Sequence, residues 1–249
     1  MRPVTVRQKN AKRIDSFNFY PGRLLLRKYE VISRLGAGWE GEVFKVREKD
    51  TGIERAAKFF FPQRNPRNRA SVFYAKKLHK LHHCPILIQY HTQETIIYRG
   101  VPVIFLVSDF VEGELLSRFL QRQPGKRVTS FEALHLLHSI AAGIECIHQQ
   151  GEYHGDLHSD NIIVNRYGLG FDVKLLDMFH WGRPTAANIH HDVCELIRIF
   201  YDALGGARHY ARQAPEIKNI CCGLKRSLII RKFRTAGDLR EHLEMMEWA

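Results

Sequence analysis

Asp156 and Asn161 stand five residues apart in His154-Gly155-Asp156-Leu157-His158-Ser159-Asp160-Asn161, and the apolar run Ile162-Ile163-Val164 follows at once. No other feature constrains the chain as much. A polar, glycine-bearing turn that feeds a short strand holds two groups at a fixed separation. An acid there can orient and deprotonate a hydroxyl, and an amide oxygen five residues on can hold a metal ion against phosphate groups. A solvated turn entering a strand has the same composition, so the run takes its meaning from its surroundings.

Three further features supply those surroundings. Gly36-Ala37-Gly38-Trp39-Glu40-Gly41-Glu42-Val43 lies between two expected strands. That placement excludes a dinucleotide-binding turn, which needs a helix N-terminus. Glycines in a strand–turn–strand let backbone N–H groups close over phosphates without interference from a Cβ, although a plain hairpin shows the same pattern. Ala56-Ala57-Lys58 precedes Phe59, Phe60 and Phe61, so Lys58 stands fifteen residues after Val43 in an apolar strand. A lysine in such surroundings requires an acidic partner or a phosphate, unless it faces outward. Asp177 closes the run Val173-Lys174-Leu175-Leu176, a position suited to holding a magnesium ion.

Composition narrows the class. At 249 residues the chain can form one large domain or two small lobes, and 45% hydrophobic with 26% charged residues is ordinary for a globular protein. No apolar run reaches membrane-span length and no apolar block of a secretory signal stands at the N-terminus, so a cytoplasmic location is the expectation. The five cysteines, Cys84, Cys146, Cys194, Cys221 and Cys222, form no even framework, which argues against a disulfide scaffold. His82-His83-Cys84 and His190-His191-Asp192 lack CxxC or HxxxH pairing, so core or surface roles are expected for them rather than zinc. The net charge of +12 is concentrated in residues 1–13 (Arg2, Arg7, Lys9, Lys12, Arg13), 62–80 (Arg64, Arg67, Arg69, Lys76, Lys77, Lys80) and 217–236. It suits an acidic partner, but without a nucleic-acid motif a solvated basic face is the expected reading.

Strands come first and helices second, which predicts an α+β arrangement of two lobes, a small β-rich one and a reduced helical one. Residues 1–26 read as a basic extension, packed through Phe17, Phe19 and Tyr20. Residues 27–108 form the first lobe, with strands at 29–35, 42–47, 55–61, 95–98 and 103–107 and a helix at 69–81. Residues 109–249 form a hinge near 109–113 and the second lobe. Thr129-Ser130-Phe131-Glu132 is a capping box that opens a long helix ending near Gly151. Short strands at 162–164 and 173–176, a helix from about 192 to 204 and a last helix at 236–246 complete the expectation.

Taken in order from Tyr29 onward, these motifs resemble the eukaryotic-like protein kinase superfamily, as an atypical, minimal member. The resemblance implies a two-lobed protein-kinase-like fold that uses ATP and Mg²⁺. It implies that residues 36–43, with Leu35, Gly36, Gly38, Gly41 and Val43, cover the nucleotide, and that Lys58 pairs its phosphates. Ala56 and Ile163 would flank the adenine, Asp109 and Val111 would form the hinge after the small gatekeeper Ser108, and Glu114 would approach the ribose. Asp156 would be the catalytic base, Asn161 and Asp177 the metal ligands, and Asp192 the acid that braces the catalytic loop.

The departures bear on function. No Asp or Glu occurs between Glu54 and Glu94, so the helix that carries the lysine's acidic partner in the family has none, and Tyr74 stands in the expected place. Lys58 must then pair with Asp177, with a glutamate from elsewhere, or with phosphate. Gly155 replaces an Arg and His158 replaces a catalytic-loop Lys that many protein kinases carry; a His there can still donate a hydrogen bond. Asp177-Met178-Phe179 lacks the following glycine, and only fourteen residues separate Asp177 from Asp192 with no Ala-Pro-Glu between them. The favoured expectation is a serine/threonine-type protein kinase acting on an unidentified hydroxyl-bearing substrate. The alternatives are a small-molecule kinase of the aminoglycoside or metabolite type, and a nucleotide-binding pseudokinase that serves as a docking module.

Overall fold

A computed structural model describes residues 13–168, 170–178 and 182–247. Arg2, Arg7, Lys9 and Lys12 of the first basic stretch, and Phe179 after Met178, lie outside the described residues. The chain divides into two compact units, one of residues up to 79 with 89–110, the other of residues 80–88 with those from 111 onward.

Among the described residues the first unit is a six-stranded antiparallel sheet with one α-helix and two short 3-10 turns. In chain order the elements are β1 (Leu24–Leu25), β2 (Tyr29–Ala37), β3 (Gly41–Glu48), β4 (Glu54–Phe60), α1 (Arg69–Lys80), β5 (Tyr90–Tyr98) and β6 (Val101–Asp109), and the sheet order is β1-β2-β3-β4-β6-β5. The β5–β6 hairpin is longer than its apolar residues suggest. Polar His91, Gln93 and Glu94 belong to β5, whose residues alternate between more and less exposed along its length. Arg99 and Gly100, both at positive φ (51° and 78°), make its two-residue turn.

One face of this sheet is covered by the chain's own N-terminal segment. Phe17 is 2% exposed, and its ring centroid lies 5.3–5.7 Å from those of Phe19, Phe59, Phe61 and Tyr98. Ile14, Phe44, Val46 and Phe105 join the same cluster. Phe17 and Phe19, two residues apart, both face the sheet. Tyr20, expected to pack with them, is 65% exposed because the chain turns away there. A buried carboxylate fixes the segment's register. Glu42 on β3, 1% exposed, accepts hydrogen bonds from the Phe17 N–H (3.0 Å), the Ser16 hydroxyl (3.1 Å) and the Arg34 guanidinium (2.7 Å).

The second unit is mainly helical. β7 (Glu114–Leu115), α2 (Leu116–Arg122), α3 (Ser130–Gln149), β8 (Ile162–Tyr167), β9 (Gly170–Leu175) and α4 (Ala186–Ala203) are followed by α5 (Ala207–Tyr210), α6 (Pro215–Cys221), α7 (Arg226–Lys232) and α8 (Ala236–Glu244). β7, β8 and β9 form a small antiparallel sheet. Thr129 and Glu132 make the expected capping box at α3. α4 starts at Ala186, earlier than expected, because Thr185 and Asn188 form a second such box with an amide in the place of the usual glutamate. The loop at 81–88 seats on α3, where Ile86 fills the space a side chain on Gly143 would need. At the same place Cys84 and Cys146 form a single disulfide, a pairing their spacing did not announce, while Cys194, Cys221 and Cys222 are free, so the cysteines form no disulfide scaffold. No helix among the described residues is long and apolar enough to cross a membrane.

Deleting a ring from a packed core leaves a cavity and removes the transfer energy of the lost atoms. Phe17→Ala is therefore expected to destabilise the protein by about 3–5 kcal/mol, read as a lower urea midpoint, and Tyr20→Ala by no more than about 0.5 kcal/mol.

Candidate active site

The first unit carries the glycine turn and the lysine. β2 and β3 meet at the turn, where the Gly38 N–H donates to the Gly41 carbonyl (2.9 Å) and the Phe61 N–H donates to the Glu40 carbonyl (2.8 Å). Gly41 is required here for space, since a Cβ would lie 1.8 Å from the Phe59 carbonyl oxygen. Gly36 and Gly38 face open space, which leaves their backbone approachable. Leu35 falls at a register shift between Arg34 and Gly36 and is 42% exposed. Val43 stands opposite Gly36 on one side and Lys58 on the other.

Lys58, 14% exposed, projects from β4. Its ammonium lies 3.7 Å from Glu40 Oε2, 5.1 Å from the centre of the Tyr74 ring and 5.7 Å from that of Phe60. Of the partners considered for Lys58, the glutamate from elsewhere is therefore present within its own unit, on the glycine turn. Glu40 was missed in the sequence because its approach depends on how the turn curls back over β4. Ala56 sits opposite Ser108 on β6. Asp109, at the end of β6, is held through its carboxylate by Arg55 (2.8 Å) and His91 (2.6 Å), and its N–H donates to the Gln89 carbonyl.

The second unit carries the carboxylates and the amide. Ile163 lies in β8, opposite Leu115 of β7. Val111 is half-buried just before Gly113, whose positive φ of 129° and approach to the Val164 carbonyl leave no room for a side chain. The carboxylate of Glu114 is paired with Arg122 of α2.

One buried group organises the run at 154–161. Asp192 of α4 is fully buried and accepts hydrogen bonds from the His154 N–H (2.8 Å) and the Gly155 N–H (2.8 Å), with His148 Nε2 at 3.0 Å. Gly155 has φ of 82°, a conformation that favours glycine, so the residue standing in place of an arginine has a local backbone reason. The Asp156 N–H donates to His154 Nδ1 (3.3 Å), so the ring proton is on Nε2, which donates to the Leu176 carbonyl (3.0 Å). The Leu176 N–H in turn donates to the Asn161 carbonyl (2.9 Å). These bonds tie the catalytic-type run to the strand end that carries Asp177.

Within the run, Asn161 is 7% exposed and its Nδ2 donates to the Asp156 carbonyl (2.8 Å) and lies 3.3 Å from Asp156 Oδ2 and 2.9 Å from His158 Nε2. The structure thus brings Asp156, His158 and Asn161 together. The Asp156 side chain is 60% exposed and open to a reactant, with His158 Nε2 3.6 Å from its carboxylate. Asp177 adopts φ of 57°, rare for a non-glycine residue, and the buried Met178 follows it. A shallow cleft of about 90 Å³ beside His158 and Ser159 carries both signs of charge, from Glu195, Asp202 and Arg198. Burial pushes the Asp202 carboxyl up.

Burial alone would push the Asp192 carboxyl up, but the hydrogen bonds from His148, Gly155 and His154 outweigh it and hold the group below the ordinary carboxylate range. A carboxyl whose folded pKa is depressed contributes stability that is complete above its unfolded pKa of about 3.9 and lost as the pH falls through the folded value. Asp192→Ala is expected to cost about 3 kcal/mol at neutral pH, because it leaves buried partners unmatched. Wild type should lose thermal stability more steeply than Asp192→Asn as the pH falls below about 4.

Several known proteins similar to this chain are kinases by name. The chain is 34% identical to smooth muscle myosin light chain kinase of Gallus gallus over 155 residues, 60% of this chain and 8% of that protein. It is 27% identical to CBL-interacting protein kinase 29 of Oryza sativa subsp. japonica, covering 70% of this chain and 39% of the relative. Cyclin-dependent kinase B2-2 of Arabidopsis thaliana is 22% identical over 90% of this chain and 72% of its own length. The chain thus spans well under two thirds of the first two relatives. The protein kinase domain family matches residues 29–217, a span that carries Lys58, Asp156, Asn161, Asp177 and Asp192 in order. With more than half its length matched, the chain belongs to the protein kinase domain family.

Proposed function

We propose that this chain is an ATP- and magnesium-dependent phosphotransferase that moves the γ-phosphate onto a serine or threonine hydroxyl of a protein. The observation that carries the proposal is the Asp156–Asn161 pair, held open to reactants by the buried carboxylate of Asp192. Asn161 uses Nδ2 to hold Asp156, which leaves its amide oxygen for a cation. That oxygen and the Asp177 carboxylate are hard donors of the kind magnesium takes. A magnesium ion bound there would neutralise charge on the phosphates.

Each residue then has a defined task. Backbone N–H groups around Gly36, Gly38 and Gly41 cover the phosphates, with Leu35 and Val43 flanking them. Lys58 pairs phosphate oxygens. Ala56 and Ile163 contact the adenine, Asp109 and Val111 meet its edge through their backbone, and Glu114 stands near the ribose. Asp156 orients the acceptor hydroxyl and takes its proton, and His158 donates a hydrogen bond to the group being transferred. The names of the relatives, all kinases and one a protein kinase by name, support a protein acceptor. Gly155, His158 and the short stretch from Asp177 to Asp192 instead favour a small-molecule acceptor, the second reading. Arg67, Arg69 and Lys76, exposed on an acid-free stretch, suit an acidic partner. A cytoplasmic location is part of the proposal, and the Cys84–Cys146 disulfide is the observation against it, since the cytosol keeps thiols reduced.

Asp156→Ala is expected to lower phosphate transfer by about 10²–10⁴-fold while Mg-ATP binding stays near wild type. Equal rates for variant and wild type would remove Asp156 from the reaction. Lys58→Ala is expected to weaken Mg-ATP binding about tenfold or more, as loss of a charge-assisted hydrogen bond does; unchanged binding and turnover would make it an ordinary surface lysine. Assays with peptide hydroxyls and with aminoglycoside hydroxyls, run side by side, separate the two acceptor classes.

A further inference from the structure

Lys58 is largely buried between aromatic rings, and a buried ammonium is stable only beside a counter-charge. The adjacent helix α1 cannot supply one, because residues 55–93 contain no acid, and it presents the ring of Tyr74 with its centre 5.1 Å from the ammonium. The glycine turn does supply one. Glu40 Oε2 lies 3.7 Å from the Lys58 ammonium, with the two side chains 18% and 14% exposed. Glu40 is held there by its backbone: its carbonyl accepts the Phe61 N–H (2.8 Å), and Gly41 presses against the Phe59 carbonyl. The next acid along, Glu42, anchors the same hairpin to Ser16 and Phe17.

We infer that Glu40 is a positioning residue that orients Lys58 toward phosphate from the glycine turn itself. The inference rests on the reading of Lys58 as the phosphate-pairing lysine. The 3.7 Å separation is that of an ion pair, longer than a hydrogen bond, and an ammonium carries three N–H donors, which suits it to hold phosphate oxygens beside a carboxylate. The glycine turn and the lysine then move as one body. Covering the phosphates and aiming the charge at them become a single event, where a helix-borne acid would make them two.

The test is titration calorimetry of Mg-ATP into wild type, Glu40→Gln, Glu40→Asp, Lys58→Ala and the double variant Glu40→Gln/Tyr74→Glu. Glu40→Gln is expected to weaken Mg-ATP binding about tenfold, the size of one lost charge-assisted interaction. Glu40→Asp should retain most of the affinity. Tyr74→Glu places a carboxylate on α1 beside Lys58 and should restore the affinity lost in Glu40→Gln, an outcome that a purely structural role for Glu40 does not produce. If Lys58→Ala weakens binding while Glu40→Gln binds as tightly as wild type or more tightly, the inference is overturned, and the carboxylate is idle or competes with phosphate. A second readout needs no nucleotide: acylation of Lys58 by a water-soluble reagent, followed by peptide mass spectrometry. Glu40→Gln should raise Lys58 labelling several-fold against Lys45 as an internal reference; equal labelling overturns the pairing. If labelling rises but wild type gives no heat with Mg-ATP, the pairing stands and the phosphotransferase reading fails.

Discussion

The carboxylate of Asp192 is the interaction on which the run at 154–161 depends. It is fully buried on α4 and offers its oxygens to two consecutive backbone N–H groups and to a histidine at the C-terminal end of α3. A buried charge is costly unless its lone pairs are matched, and two of the three matching groups belong to the loop it supports. The run at 154–161 therefore cannot shift without exposing or orphaning that charge. From there the order passes outward through His154 to Leu176 and from Leu176 to Asn161, so Asp156, Asn161 and the strand end carrying Asp177 share one network.

The first unit solves a different problem. A glycine-rich turn has little intrinsic stiffness, because glycine loses more freedom on ordering than any other residue. Two acids on that hairpin supply it. Glu42 pins β3 to the N-terminal segment, and that segment spreads Phe17 and Phe19 over the outer aromatic cluster. Glu40, two residues earlier, faces the lysine. An exposed ion pair at the surface would contribute little, whereas these side chains are mostly withdrawn from water, where pairing matters more.

Legibility in the sequence followed the range of the interactions. The α+β class, the capped helix α3 and the order of the chemical motifs were visible because each rests on local spacing: strand alternation, a Thr-x-x-Glu box, an Asp and Asn five apart. The start of α4 was misplaced because Asn188 closes its capping box in the place of an acid. The length of β5 was hidden by a polar face that water tolerates on an edge strand. The Cys84–Cys146 link and the Glu40–Lys58 approach were not visible at all. Both join residues that spacing does not relate, through a loop seated on Gly143 in one case and a turn curled over β4 in the other.

The central claim is that the residues placed around Lys58 and Asp156 exist to hold a metal-complexed nucleotide. Its most direct test is the melting temperature of the protein with ATP, measured with and without Mg²⁺. A ligand that binds only the folded state raises stability in proportion to the logarithm of its concentration over Kd, so bound nucleotide must register. The account predicts a rise that requires the metal and grows with ATP concentration. No rise under either condition would contradict it and leave the chain as a kinase-fold docking module.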